Sequence, residues 1–123
     1  MSELKLTSGN PFHMSLETPF EQVSVGIRRQ ILGFGDDLMI CRVIFEQSAI
    51  GAEHAHHHSQ ATYVESGRFR ITVDGAEREL GSGDAFYVEP HISHGSVCLE
   101  AGVLIDTFSP MRADFLPDPG ADT

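Results

Sequence analysis

Four histidines and a glutamine stand close together in the middle of this chain: His54, His56, His57, His58 and Gln60. Imidazole is the commonest protein metal ligand near neutral pH, because its nitrogen lone pair is available without removing a strongly held proton. In an extended segment alternate side chains point to the same face, so His54 and His56 can converge on one ion and Gln60 can add an oxygen. The spacing therefore indicates a metal site.

Another ligand has to come from a distant strand, because two neighbouring histidines cannot enclose an ion. His91 and His94, just after Pro90, are the two candidates. The segments that carry the histidines flank the hairpin signal Asp74-Gly75, so they can lie close together in an antiparallel sheet. His94 precedes Gly95 and a new strand, and this position at a strand entrance favours it over His91.

A second group of candidate residues lies downstream. Asp106 stands within Val103–Phe108, which has apolar residues on both faces. Burial there raises the pKa of an unpaired carboxyl, as proton transfer near neutral pH requires. Arg112 follows six positions later and can bind a carboxylate in bidentate fashion. The residues alone leave two interpretations open, a structural Asp–Arg pair that holds the C-terminal turn or a pair that performs chemistry.

Length, charge and cysteine usage limit the classes of protein that this chain can represent. Its 123 residues suit one domain, and its formal net charge of −10 argues against nonspecific binding to nucleic acid or anionic membranes. A local arginine can still bind a small anion. No apolar run approaches membrane-spanning length, and no secretory pattern opens the sequence. Cys41 and Cys98 are isolated in apolar surroundings, which predicts reduced core residues of a cytoplasmic protein.

Strand signals dominate the chain. The segment 23–27 alternates and continues through 30–32 to the turn cluster 33–37, in which Asp36 and Asp37 are expected to be solvated. Residues 38–45 and 68–73 form further strand patterns. Others follow at 77–80, 85–88, 96–99 and 103–108. Short strands separated by glycine turns, with no long helical period, predict an all-β sandwich or barrel. The expected organisation is an N-terminal arm over 1–20, either a simple arm or a strand swapped between copies, one barrel over 21–116, and a flexible tail over 117–123.

The residues of both histidine segments resemble the two motifs of the cupin superfamily. Gly51, His54, His56, Gln60 and Gly67 match the first motif, with glutamine where glutamate is more common. The second is matched by Gly83-Asp84, Pro90 and His94, although the proline-to-histidine spacing is short and the usual glycine between them is missing. The resemblance implies a jelly-roll β-barrel with His54, His56, Gln60 and His94 as metal ligands in its lumen. His57 and His58 fall outside this pattern, as rim residues or as outer hydrogen-bond partners of the ligands.

From about residue 25 to residue 116 the chain resembles the KdgF-type cupins of pectin and alginate breakdown. The segments that carry this resemblance are 33–39, 59–67 and 102–116. The family converts 4,5-unsaturated monouronates to the linear ketonised sugar acid, and the resemblance implies Asp106 and Arg112 as its catalytic pair. The expected partner is thus a small anionic sugar.

The ion and the wider role stay open at this stage. Three nitrogens and an amide oxygen suit a divalent transition metal such as Zn, Ni, Fe, Mn or Cu. A non-catalytic module that binds metal or sugar acids is an alternative function, as is an Fe(II)-dependent oxygenase. We expect a homodimer, because an unpaired edge strand invites association. At most one of Arg28 and Arg29 can reach the site, and Tyr63 is expected in the core.

Overall fold

The computed structural model describes residues 10–116, and nearly all of its regular structure is antiparallel strand. The strands are β1 (Phe20–Ser24), β2 (Ile27–Phe34), β3 (Met39–Phe45), β4 (Ile50–His54), β5 (Ser59–Val73), β6 (Ala76–Gly81), β7 (Ala85–Val88) and β8 (His94–Ser109), followed by a 3₁₀ turn at Ala113–Phe115. The predicted all-β class is confirmed. No helix within residues 10–116 is long and apolar enough to cross a membrane.

Two long strands, β5 and β8, form the centre of the fold. The sheet order is β1-β2-β3-β8-β5-β6, with β4 paired to β8 and β7 paired to β5. One end of β8 pairs with β4 and the other with β3, while β5 pairs with β7 and then β6. This arrangement folds the sheet over its own inner face and gives the jelly-roll architecture that the motifs predicted.

The long pair bends where two glycines meet. The register of β5 against β8 shifts between Val64 and Phe69, opposite residues 98–104. A Cβ on Gly67, whose φ is +82°, would lie 2.6 Å from the carbonyl oxygen of Glu100, and a Cβ on Gly102 would collide with the Ser66 carbonyl. Only glycine permits this close approach of two backbones. The segments predicted as separate strands at 96–99 and 103–108 are therefore one bent strand.

Apolar side chains fill one part of the barrel interior. Phe45 and Phe69 pack edge to face with ring centroids 5.1 Å apart. Around them lie Ile27, Ile31, Met39, Cys41, Val43, Val64, Ile71, Cys98, Leu104 and Phe108. The two cysteines are buried and neither forms a disulfide within the described residues, as their apolar surroundings predicted.

Two further local predictions were wrong, and each error has a physical reason. The alternating segment 23–32 is not one strand, because the chain turns at Val25-Gly26, where Gly26 has a φ of +75° and Val25 is 93% exposed. Tyr63 lies on the outer face of β5, 48% exposed, because its odd position points away from the face that carries Gln60. The Asp74-Gly75 hairpin is confirmed, with φ values of 51° and 80°.

The N-terminal segment lies against the outer side of the sheet before β1 begins. The Nε2 of Gln30 donates to the carbonyl oxygens of Ser15 and Thr18, at 2.7 and 2.9 Å, and its Oε1 accepts from Arg42. Gln30 is consequently buried although its side chain is polar. The remainder of the predicted arm and the predicted tail over 117–123 lie outside the described residues.

Candidate functional site

Three histidines from two chain segments meet at one end of the barrel. His54 ends β4 and pairs in register with His94, the first residue of β8, while His56 lies in the short loop before β5. One ring nitrogen of each can be chosen so that all three atoms lie within 4.8 Å of one another. His91, the rejected candidate, is exposed, and its backbone N–H donates to the carbonyl oxygen of His56. The structure thus brings together the histidines that the spacing indicated.

The backbone orients all three imidazoles in the same way. The Nδ1 atoms of His54, His56 and His94 lie 2.9, 3.0 and 2.9 Å from carbonyl oxygens, those of Ala52, His58 and Ile92. A carbonyl only accepts, so in each ring Nδ1 carries the proton and donates it. The Nε2 lone pair is then available to an ion, which is how outer hydrogen bonds prepare metal-binding histidines.

Gln60 completes a set of donors that suits a cation. Its Nε2 donates to the hydroxyl of Thr62 at 2.9 Å, which leaves Oε1 facing His56 Nε2 at 3.0 Å. Two lone pairs that face each other repel unless a proton or a cation lies between them. The Nε2 of His94 is buried and has no hydrogen-bond partner within the described residues. Both observations fit a bound divalent ion.

Burial keeps two of these histidines neutral. Desolvation lowers the pKa of His56 and that of His94, and the positive charge of Arg112 lowers both further. A neutral imidazole has the lone pair that a metal requires. His54 is more exposed than the other two, so it forms the open side of the cluster.

Asp106 faces the same interior from near the C-terminal end of β8. It is opposite Thr62 in the β5–β8 register, and the Thr62 hydroxyl donates to its Oδ1 at 2.7 Å. Burial raises the pKa of the Asp106 carboxyl, while the Thr62 hydrogen bond and the charges of Arg29 and Arg112 lower it in part. The side chain is therefore a carboxylate whose proton affinity is increased, a property suited to proton transfer near neutral pH.

Arg112 approaches the site from the segment after β8, and it is buried. Its Nε and one terminal nitrogen donate to the two carboxylate oxygens of Asp114 at 3.0 and 2.8 Å. The guanidinium also packs over Phe115 and Phe108, at 4.2 and 5.0 Å from the ring centroids. No hydrogen bond or ion pair joins Arg112 to Asp106 among residues 10–116, so the simple structural Asp106–Arg112 pair is not what holds the C-terminal turn.

One cavity of about 380 Å³ connects these groups. Its wall includes His54, Gln60, His94, Asp106, Arg112 and Arg29, set among apolar side chains. Small-molecule sites usually occupy about 300–1,000 Å³ and combine apolar walls with a few polar groups. The cavity therefore has the size and lining for a small polar ligand next to the histidine cluster.

Two more histidines, one residue that the sequence analysis missed and one that it left undecided define the surroundings. His58 is buried, His57 is exposed, and their rings stack 3.9 Å apart outside the three-histidine cluster. Thr62 was missed, although it shares the parity of Gln60 on one strand. Arg29 was left undecided with Arg28; the structure turns Arg29 inward and leaves Arg28 exposed.

Comparison with known proteins supports what this geometry indicates. The family model described as a cupin domain matches residues 41–107, more than half of the chain. The chain belongs to the cupin family. The pectin degradation protein KdgF of Dickeya dadantii (strain 3937) is 49% identical over 102 residues, which cover 81% of this cupin and 93% of that protein.

Two solved structures share both sequence and fold with this cupin. An RmlC-like cupin from Shewanella frigidimarina is 45% identical with a TM-score of 0.85, covering 88% of this chain and 97% of that one. KdgF from Halomonas sp. is 39% identical with a TM-score of 0.83, covering 87% of this chain and 99% of that one. The matches span nearly the whole length of these relatives, so this is a small single-domain cupin of the KdgF type.

Proposed function

We propose that this cupin converts 4,5-unsaturated monouronates, the products of pectin or alginate cleavage, into the linear ketonised sugar acid. One observation carries the proposal. In a chain 49% identical to a pectin degradation protein, Asp106 lines the same cavity as His54, Gln60 and His94. A carboxylate with increased proton affinity then stands next to a cluster able to hold a metal ion.

The reaction needs proton transfers that Asp106 is positioned to perform. In the cyclic hydrated form of the sugar, the C5 hydroxyl loses its proton, the bond from C5 to the ring oxygen breaks, and the ring oxygen takes up a proton. The Asp106 carboxylate accepts the first proton and returns it to the ring oxygen, which leaves a ketone at C5 and a hydrated aldehyde at C1. Loss of water from C1 then gives the linear ketonised sugar acid. Thr62 holds Oδ1 by its hydrogen bond, so Oδ2 of Asp106 is the oxygen that we assign to this transfer.

We propose that His54, His56, His94 and Gln60 bind one divalent transition metal, chosen from Zn, Ni, Fe, Mn and Cu. When bound, such an ion supplies a Lewis acid that polarises sugar oxygens. Four protein ligands leave fewer open positions than the three of a facial triad, which makes an Fe(II)-dependent oxygenase the weaker alternative.

Arg112 is the proposed partner of Asp106 in catalysis. Asp114 occupies two of its nitrogens, which fixes the plane of the guanidinium against Phe115. From this buried position the positive charge stabilises negative charge that develops in the cavity during proton transfer. Its charge also lowers the pKa of Asp106, which keeps the carboxylate available as a base.

We also propose a cytoplasmic homodimer. Buried cysteines without disulfides, with the pKa of Cys41 raised to about 12 by burial, suit a reducing compartment. Strand β1 lies at an edge of the sheet, and its residues Phe20 and Val23 are 41% and 44% exposed. Such an edge favours pairing with a second copy, which light scattering on the purified protein measures directly.

The test is turnover of purified unsaturated galacturonate by the metal-loaded protein, with the linear ketone detected by NMR. Asp106→Asn should lose ketonisation while it keeps its metal, and Asp37→Asn, in an exposed turn, should match the wild type. Full activity of Asp106→Asn would contradict the assignment. Uronate binding without turnover by the wild type would favour a non-catalytic binding module, and oxygen consumption with an added organic substrate would favour an oxygenase.

A further inference from the structure

Arg29 is a second guanidinium in the cavity wall, and nothing in the proposed chemistry uses it. It lies on β2 opposite Val43, and Val43 lies opposite Leu104 on β8. The neighbouring inward-facing row on β8 carries Asp106, two residues further along. Two strand spacings, about 9.6 Å, separate Arg29 from Leu104, and Asp106 lies two residues further along the same inward face of β8.

The surroundings of Arg29 fix its guanidinium without satisfying it. Glu21, its partner across the β1–β2 pair, accepts a hydrogen bond from Nε at 3.1 Å. The guanidinium carbon lies 3.3 Å from the centroid of the Phe115 ring. No hydrogen bond from the terminal nitrogens of Arg29 is made to residues 10–116. The side chain is only 14% exposed, so these nitrogens are donors held at the edge of a small cavity.

Arg112 differs from Arg29 in this respect. Both guanidiniums pack on Phe115, yet Arg112 gives two nitrogens to both oxygens of Asp114. A planar carboxylate binds best to an arginine that presents two donors side by side. Arg29 donates only its Nε hydrogen bond to Glu21. Its two terminal nitrogens therefore remain as a pair of donors for a carboxylate.

We propose that Arg29 binds the carboxylate of the sugar acid and so selects uronates over neutral sugars. The proposal rests on the proposed function, of which it names the recognition step. The chain is strongly acidic overall, so an anionic ligand needs a local cation of this kind. Glu21 is a positioning residue here, because its hydrogen bond to Nε holds the guanidinium in the cavity wall and leaves the terminal nitrogens for a ligand. The carboxylate held at Arg29 leaves the sugar ring between Arg29 and Asp106.

The experiment compares a charged ligand with its neutral form. Binding of D-galacturonate and of its methyl ester to the metal-loaded protein is measured by calorimetry for the wild type, Arg29→Gln, Arg29→Lys and the control Arg28→Gln. We expect Arg29→Gln to bind galacturonate about 10- to 100-fold more weakly, with little change for the ester, because a hydrogen bond to a charged group has that effect. Arg29→Lys should be intermediate and Arg28→Gln should match the wild type.

Binding and turnover together distinguish the role of Arg29 in carboxylate recognition from the proposed ketonisation activity. Equal galacturonate affinity of Arg29→Gln and the wild type would overturn the role of Arg29 even if turnover of unsaturated uronate is normal. Equal weakening for acid and ester would also overturn it, since that result indicates a packing defect. If wild type and Arg28→Gln bind galacturonate and Arg29→Gln does not, while no variant turns over any unsaturated uronate, the recognition role stands and the ketonisation proposal fails. Glu21→Gln, which keeps Arg29 itself, should weaken galacturonate binding by a smaller factor.

Discussion

The hydroxyl of Thr62 lies 2.7 Å from Oδ1 of Asp106, and Asp106 is the residue opposite it in the β5–β8 ladder. The same hydroxyl accepts a hydrogen bond from Gln60. A hydroxyl has one proton, and here it goes to the carboxylate, so the Gln60 amide nitrogen must face Thr62. Thr62 therefore orients a proposed metal ligand and a proposed catalytic base at once.

Thr62→Val should reduce kcat/KM about 10- to 100-fold. A hydrogen bond to a charged group contributes about 1.5–3 kcal/mol, and each 1.4 kcal/mol is about a tenfold change in rate. The Thr62 hydrogen bond lowers the pKa of Asp106, so its loss raises that pKa. The acidic limb of the pH–rate profile should consequently move to higher pH.

Thr62→Ser is the matched control, because it keeps the hydroxyl and loses one methyl group. It should restore both the rate and the position of the acidic limb. A profile for Thr62→Val that falls in height without moving along the pH axis would indicate that Thr62 serves packing alone.

His94→Ala should weaken metal binding by more than about 100-fold, since loss of even an outer hydrogen-bond partner of a ligand costs about 10- to 100-fold. Its Nε2 is buried without a hydrogen-bond partner in the described residues, so a bound ion would supply the interaction that this atom lacks. Metal content after dialysis against a chelator of known affinity measures the change. His57→Ala, an exposed ring outside the three-histidine cluster, should retain wild-type affinity.

The metal-free protein should lose stability as the pH falls below about 6.5. Burial lowers the folded-state pKa of His56, His58 and His94 from the usual 6.5, so between the two values the unfolded chain binds more protons. The free energy of unfolding then decreases with decreasing pH. Asp106 acts in the opposite sense, because its folded-state pKa is raised from 3.8.

Urea unfolding in chelator, at about pH 7.5 and about pH 5.5, tests this dependence. Asp106→Asn removes the opposing contribution, so its stability should fall more steeply with acid than that of the wild type. A wild-type stability that is unchanged or higher at the lower pH would show that the buried histidines do not control the acid response.

Gly102→Ala should destabilise the fold by about 1–3 kcal/mol, the usual cost of forcing atoms into a packed position. The new methyl group would meet the backbone of Ser66 and Gly67, which cannot move aside as a flexible side chain can. The midpoint of chemical denaturation measures the loss. Gly35→Ala is the control, because no atom lies within 4 Å of the point where its methyl group would stand; a similar loss in both variants would contradict the close-approach argument.

The histidines of the cluster could be predicted from sequence because their residue type and motif spacing mark them, even though His56 lies in a loop rather than on a strand. His54 and His56 are two positions apart, and His94 begins the strand that pairs with the segment ending at His54. The Asp74-Gly75 turn joins β5 to β6 and does not itself bring the two histidine segments together. Contacts between residues that are far apart in sequence were harder to predict. Thr62 meets Asp106 across 44 positions, which only the register of β5 and β8 determines.

Another error came from a sequence pattern that is compatible with two different local conformations. Alternation through residues 23–27 suits one strand or a tight turn between two, and the positive φ of Gly26 decides for the turn. The sequence analysis paired Arg112 with Asp106 alone, and it did not consider Asp114, which the 3₁₀ turn brings to Arg112. The inward orientation of Arg29 depends on where β2 begins, and the turn at Val25-Gly26 determines that start.

The groups around the cavity are divided between two parts of the fold. Gln60, Thr62, His94 and Asp106 stand on β5 and β8, whereas Arg29 is on β2 and Phe115 is in the C-terminal 3₁₀ turn. Evolution can therefore alter which sugar acid is accepted by changing β2, with the reactive groups on β5 and β8 untouched. For an engineer, Arg29 is the position at which to randomise this cupin for new substrates, whereas a change at Phe115 would also disturb Arg112.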